Sequence, residues 1–319
     1  MKKKGLLTTI LIVIIAAVAW FGYSASHESS STKKLTTVTI GYQKADPVDI
    51  SRARGELAKK MKAKGYKVVF KEFQDGTALA TALKSGDIDY ARLGDVPPVT
   101  SQDNGMGFVY IAAGSDKVKG SGIEVKKNSG ITSVADLKGK TIAYTKGTSA
   151  QFMIIQALKK AGLTTKDVKL VSMDQSAASV AFSKGTVDAW ATWDPYTSTA
   201  EVNANATLFV DDTGLAKNRD FVIATKQYAT SHKRVSKLLT QYLADDMDWA
   251  NTHKTQLTTM LTKMLKLKKG ITKKMVARRD YSMGKVTTSI LKEQQTIADV
   301  FYEQGLIAKK IDVTDATIK

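Results

Sequence analysis

Two stretches of the chain carry the same arrangement of apolar and polar positions. Residues 36–43, TTVTIGYQ, are short, β-branched and aromatic, as a buried strand is, and residues 140–147, KTIAYTKG, repeat the pattern. TIGYQK (39–44) and TIAYTK (141–146) share Thr, Ile, Tyr and Lys at matching places. A helix follows each strand. In the first copy Asp46 and Pro47 are the N-cap and first turn of a helix that runs to about Lys64 and stops at Gly65. In the second, Thr148 or Ser149 is the cap, AQFMIIQALKKAG is the helix and Gly162 ends it. Another strand comes next in both, YKVVFKEF and VKLVSM. This alternation predicts an α/β protein with largely parallel sheets.

The repeat then tightens. DGTALATALKSGDIDYARLGD (75–95) and DQSAASVAFSKGTVDAWATWD (174–194) align Asp75 with Asp174, Ala78 with Ala177, Ala82 with Ala181, Gly86 with Gly185, Asp89 with Asp188 and Asp95 with Asp194. Each reads as a helix closed by a Gly C-cap and a short strand ending in an aspartate. Asp89 and Asp188, between helix and strand, suit plain bonding of turn backbone. The strand ends LGDVPP and TWDPY suit function better, because ligands collect outside the carboxyl ends of strands in open α/β sheets. Two such lobes face to face would place Lys44, Asp95, Lys146 and Asp194 around one cleft.

The first residues read as an export segment. Lys2, Lys3 and Lys4 precede an apolar run from Leu6 to Tyr23, and Ser24, Ala25 and Ser26 follow. That run is also just long enough to span a bilayer, so residues 1–26 are a cleaved signal or a retained anchor, with the lysines cytoplasmic in either case. Residues 27–36 form a polar, Ser-rich linker. Of the formal net charge of +18, the three lysines carry only a small part, so the exported body is itself basic. The chain has no cysteine, which excludes disulfides, thiolate metal sites, cysteine nucleophiles and a lipid-modified N-terminal Cys.

Several segments carry a family likeness. TIGYQK, LGDVPPV, DLKGKTIAYTKGTSAQ, SKGTVDAWATWDPY and TIADVFYEQGLIAKKIDV resemble the aliphatic-sulfonate-binding proteins of ABC importers, in the wider group that includes taurine- and nitrate-binding proteins. The resemblance runs from about residue 37 to about residue 313; DAWATWDPY and FYEQGLIAKKIDV are its more specific pieces, and DLKGK discriminates little. It implies a two-lobed type II periplasmic-binding-protein fold, each lobe a mostly parallel sheet flanked by helices, with the ligand cleft between lobes. On that pattern lobe 1 is residues 37–128 plus 221–319 and lobe 2 is 129–220, with crossovers near GIEVKKN and RDFVIAT. It also implies an extracytoplasmic monomer that captures a small anion and hands it to a membrane permease and its ATPase. Taurine, nitrate or a pyrimidine are the alternative ligands on the same fold.

A sulfonate needs converging donors, and the free N–H groups of a helix N-terminus supply them. Gly147, Thr148, Ser149, Ala150 and Gln151 form the leading candidate turn; ordinary helix capping is the competing reading of the same hydroxyls. Gly94 and Asp95 open a second helix start, with Asp95 expected as its cap. Gln43 offers a neutral amide, and Lys44 and Lys146 add long-range attraction. Asp194 closes the second strand. Trp193 and Tyr196 are expected to cover the organic part of the ligand, whereas Trp190 is expected in the core. Asp46 and Asp49 pose a fork: facing the cleft, they favour a ligand with an amine as well as an anion; capping the helix, they change nothing.

Catalysis lacks its groups. The histidines are His27, His232 and His253, none in a cleft motif, and there is no H-E-x-x-H, G-x-S-x-G or G-x-x-x-x-G-K-[ST]. Asp95 and Asp194 could pair as acid and base, but their places at helix starts favour capping, so a binder without cofactor or metal is expected. Residues 254–285 hold ten Lys or Arg against one acid, Asp280. Nucleic acid is not the expected partner of an exported chain lacking any nucleic-acid module. Leu261, Met264, Leu265 and Leu267 make the segment half-buried helix with a solvated basic face, and a polyanion or anionic lipid surface is the sharper alternative.

Overall fold

The computed structural model describes residues 35–318, so the expected export segment and most of the linker lie outside the described residues. From Thr37 onward the chain is one compact unit. Strand β1 (Thr36–Tyr42) buries Val38 and Ile40 completely. The Asp46 carboxylate accepts the Asp49 N–H at 2.7 Å and starts helix α1 (Pro47–Arg54) where the sequence places it. The helix does not continue to Lys64. Gly55 adopts φ 76°, a conformation open to glycine without strain, and donates its N–H to the Ser51 carbonyl. A separate helix α2 (Glu56–Ala63) begins there and sends Leu57 and Met61 into the core.

The tight repeat is a scaffold with matching bonds. Asp75 caps α3 (Gly76–Ser85) by accepting the Ala78 N–H, and Gly86 ends it in the left-handed region. Helix α4 (Val96–Asp103) follows. In the second copy α5 (Ser149–Lys160) leads to α6 (Gln175–Lys184), where Asp174 accepts the Ala177 N–H and Gly185 is the left-handed cap. Asp89 accepts the Thr39 N–H at 2.7 Å, and Asp188 accepts the Thr141 N–H at 2.8 Å. Both aspartates therefore tie each loop to a neighbouring strand, the bland reading of the pair.

Two sheets result. The first joins β1 to β2 (Tyr66–Glu72), β3 (Tyr90–Leu93), β4 (Phe108–Gly114), β10 (Phe221–Thr225) and β11 (Met283–Gly284), in the order β11-β4-β10-β3-β1-β2. The second runs β7-β6-β8-β5-β9, from β5 (Ser121–Lys126), β6 (Thr141–Tyr144), β7 (Lys169–Ser172), β8 (Ala189–Trp193) and β9 (Ala206–Asp211). Repeat strands are parallel, β1 with β3 and β6 with both β7 and β8. Strands beside the crossovers are antiparallel: β10 lies between β3 and β4, and β5 between β8 and β9.

Two expectations about the division shift. GIEVK, placed in lobe 1 by a boundary at residue 128, is a strand of the second sheet, with Ile123 and Val125 in its core. The chain crosses between Gly114 and Ser121, ahead of that boundary, and returns between Asp211 and Phe221, beside RDFVIAT. The C-terminal helix α12 (Thr288–Glu303) does not belong to lobe 1 alone. Its Ile297 and Phe301 share a core with Val96 and Val99 of α4 and with Phe152 and Ile155 of α5. Helices α7 (Tyr196–Asn203), α8 (Lys226–Ser231), α9 (Lys233–Thr252), α10 (Lys254–Leu265) and α11 (Lys269–Ala277) complete the fold. Leu239, Leu243, Leu257, Leu261 and Met275 fill the first lobe's core, so part of the basic segment is structural.

Strand β5 is under unusual constraint. Gly122 has φ 153°, and a Cβ there would lie 1.9 Å from the Val210 carbonyl oxygen, so only glycine lets β9 approach. Two residues on, Glu124 is fully buried, and neither carboxylate oxygen has a hydrogen bond. Burial, with Glu201 and Asp194 adding to it against Arg278 and Lys274, pushes its pKa from 4.5 up to about 9. A carboxyl raised on folding contributes full stability below its unfolded value, and that stability is lost as pH climbs toward the folded value. Glu124→Gln is therefore expected to be more stable than the parent at pH 9, with the margin shrinking toward zero at pH 4.5. The expected slope is up to about 1.4 kcal/mol per pH unit. Urea unfolding at pH 5, 7 and 9 measures it; a margin independent of pH contradicts the buried neutral acid.

Candidate functional site

The carboxyl ends of the two sheets meet around buried charge. Asp220, just before β10, is fully buried and receives three cations: Arg92 at the end of β3, Lys117 (2.7 Å) in the first crossover, and Arg279 beyond α11. Arg92 also donates to the Gln43 Oε1 at 2.8 Å and lies 3.4 Å from Asp46. Burial lowers Arg92 to about 10 and raises Asp46 to about 6, with each other's charge opposing both shifts. Burial also lowers Arg279, which Asp46 after β1 and Asp194 after β8 both counteract. Its guanidinium pairs with Asp220 and lies over the Tyr281 ring at 4.9 Å.

The crossovers are stitched to each other by complementary charge. Lys119 reaches Asp211 at 3.0 Å, Lys217 reaches Asp116 at 3.7 Å, and the Lys117 N–H donates to the Lys217 carbonyl at 2.9 Å. Ser121 donates to the buried Asp212 carboxylate, which burial raises to about 7. Arg219 forks onto Glu293 of α12 and donates to the Gly114 carbonyl. The hinge is therefore held by pairs formed between 100-residue-distant stretches.

The expected ligand residues divide. Around α5 they are free to donate. Thr148 makes no capping bond and gives its hydroxyl to the Thr145 carbonyl at 2.7 Å. Among the described residues, the N–H groups of Ser149 and Ala150 and the Ser149 hydroxyl have no protein acceptor. Gln151 turns its Oε1 back to the Gly147 N–H at 2.7 Å, which leaves its Nε2 as a donor. These groups sit at the N-terminus of a 12-residue helix following the carboxyl end of β6, where the dipole favours an anion. Lys146 is exposed beside them.

On the first lobe several expectations fail. Asp95 stands at the helix start but makes no capping bond; both carboxylate oxygens are buried without a hydrogen bond, and burial raises the group to about 6 against the pull of Lys117. With its carboxylate at the end and Pro97 and Pro98 lacking N–H groups, the turn after Gly94 is poor at holding anions. Gln43 is not a free amide: its Nε2 donates to the Gln74 carbonyl at 3.1 Å and its Oε1 holds Arg92. Asp46 accepts the Gln43 and Asp49 N–H groups, while Asp49 accepts the Ala45 N–H and pairs with Arg52. Both acids are buried in their own turn, and the fork closes on capping.

At the mouth, Lys44 is 62% exposed, pairs with Glu72 at 3.4 Å, and its charge counters the rise that burial imposes on Tyr196 across the lobes. Tyr196 packs on Trp190, which is 1% exposed and in the core as expected, and Trp193 is half-buried at the end of β8. Asp194, joined to Pro195 by a cis peptide, accepts from the Thr197 hydroxyl, the Ser198 hydroxyl and the Ser198 N–H. All three bonds fall on Oδ1, so the carboxylate braces the first turn of α7 from two residues before it. Arg92 and Lys117 carry no mark in the sequence, and Arg278 and Arg279 stand there only among the ten basic residues of 254–285. Each is one basic residue in a basic chain, and only burial against a distant acid distinguishes it.

Comparison with known proteins agrees with this architecture. A family model described as NMT1/THI5 like matches residues 61–256. A putative aliphatic sulfonates-binding protein of Escherichia coli (strain K12) is 32% identical over 275 residues, covering 86% of this chain and 86% of that one. A protein of the same description in Bacillus subtilis (strain 168) is 29% identical over 98% of this chain and 94% of its own. Among solved structures, the alkanesulfonate-binding protein SsuA from Xanthomonas axonopodis pv. citri, bound to MOPS, matches with a TM-score of 0.84 at 30% identity over 89% of this chain and 99% of that one. With a family match across more than half of its residues and relatives alike over most of its length, the chain belongs to the NMT1/THI5-like family, alongside the aliphatic-sulfonates-binding proteins.

Proposed function

We propose that the chain is the extracytoplasmic substrate-binding component of an ABC importer and that its ligand is an aliphatic sulfonate. The observation that carries this reading is the start of α5, where, among the described residues, the Ser149 and Ala150 N–H groups and the Ser149 hydroxyl lie side by side in the chain without protein acceptors. Three donors match the three oxygens of a sulfonate, and the helix dipole adds to each bond. The names and the bound MOPS of the relatives support the same chemistry. Because Asp46 and Asp49 are spent inside their own turn, a plain alkanesulfonate fits better than an aminosulfonate. In this reading Trp193 and Tyr196, half-buried at the end of β8 and the start of α7, cover its carbon chain.

In this reading the protein binds and releases its ligand unchanged. Ligand held by α5 and then met by the first lobe favours the closed arrangement over an open one, a population shift driven by differential affinity. The closed form then docks on a permease, and the N-terminal segment serves export, either cleaved as a signal or kept as an anchor.

Thermal unfolding of the purified protein with ethane-, butane- and octanesulfonate, taurine, nitrate, sulfate and a pyrimidine tests the ligand. At 100 times its dissociation constant a true ligand adds about 2.7 kcal/mol, a rise of several degrees for a chain this size. Alkanesulfonates are expected to give it; a rise with nitrate or the pyrimidine alone contradicts the sulfonate reading. Ser149→Ala removes one donor to a charged oxygen and is expected to weaken calorimetric affinity about tenfold, while Ser149→Asp abolishes binding by like charge. Affinity undisturbed by the aspartate places the anion elsewhere.

A further inference from the structure

The segment that leaves α11 does something that its basic composition does not announce. Helix α11 belongs to the first lobe, with Met275 and Val276 in its core, yet it lies against α7 of the second lobe. One carboxylate joins them. Glu201 of α7 takes Lys274 on one oxygen at 2.8 Å and the Nη2 of Arg278 on the other. Lys268 adds a bond to the Asn203 side chain at 3.3 Å. The Glu201 and Arg278 side chains are 12% and 15% exposed, so this pair is largely removed from water and its charges act at short range.

The other end of the guanidinium is unserved. Arg278 Nη1 is buried without a hydrogen-bond partner, 4.0 Å from Asp194 Oδ1 at the end of β8. That oxygen already accepts three hydrogen bonds, from the Thr197 hydroxyl, the Ser198 hydroxyl and the Ser198 N–H. A buried cationic donor without an acceptor costs free energy, and this one sits at a strand end of the opposite lobe.

Resting on the sulfonate-binding reading above, we infer that Arg278 is the affinity-determining residue through which the first lobe stays closed on a bound anion. Glu201 fixes the guanidinium by Nη2, and Nη1 faces Asp194 of the same second lobe. Arg278 acts as a positioning residue: it couples ligand held at the second lobe to contact between α7 and α11.

The test compares the full chain with Arg278→Gln, Arg278→Lys, Glu201→Gln and the double variant Glu201→Gln/Arg278→Gln. Ligand off-rates come from tryptophan fluorescence with ethanesulfonate. Because the chain has no cysteine, labels at Lys62→Cys and Lys184→Cys report the distance between lobes with and without ligand. Arg278→Gln is expected to speed release about tenfold or more with association little changed, and to widen the interlobe distances of the ligand-free protein. Arg278→Lys recovers only part, since lysine lacks the fork. The double variant releases no faster than Arg278→Gln alone. Unchanged off-rates and distances in Arg278→Gln overturn the inference, as does strict additivity of the two variants. If the parent binds no sulfonate, the ligand reading fails by itself, and the ligand-free distances still decide the role of Arg278.

Discussion

One buried carboxylate organises the centre of this protein. Asp220 has no exposed surface, and its charge is met by Arg92, Lys117 and Arg279, drawn from β3, from the first crossover and from the chain beyond α11. Removing Asp220 would leave three buried cations facing one another, so the four groups specify one another. Because Asp220 and Lys117 lie on the two crossovers, the network also fixes where the hinge begins. Arg279 extends it toward Asp194, and the neighbouring Arg278 continues to Glu201, so a single run of charge links the floor of one lobe to a helix of the other.

The two halves of the repeat divide the labour. The scaffold bonds are the same in both: aspartate caps at Asp75 and Asp174, left-handed glycines at Gly86 and Gly185, and loop-tying aspartates at Asp89 and Asp188. The ends differ. The helix after β6 presents unpaired N–H groups, while the turn after β3 presents two prolines and a buried acid. The unpaired donors therefore belong to the second lobe, and the first supplies buried cations. A duplicated fold has kept its frame and let the strand ends diverge.

Much of this frame is legible in the chain because capping and turn chemistry act over three or four residues. Asp46, Gly86 and Asp174 do locally what their residue types require. The α5 turn is legible for the same reason: glycine and two hydroxyls precede an apolar helix. What is not legible depends on partners far along the sequence. Nothing near Ile123 says that its strand pairs with β8 and β9, and nothing near Arg278 says that it will find Glu201. Gln43 reads as a free amide until Arg92, 49 residues later, takes its oxygen. Asp95 reads as a cap, and only its φ of −77° and ψ of −30°, which turn the side chain away from capping, reveal otherwise.

The central claim is that a sulfonate is held by the first turn of α5. The most direct measurement is a titration of the isotope-labelled protein with ethanesulfonate, following the backbone amide resonances of Ser149 and Ala150. The account predicts that both amide protons move strongly downfield and saturate together, as they gain a charged acceptor, while amides in the turn after Gly94 move little. Saturating binding with the Ser149 and Ala150 amides unmoved would contradict it.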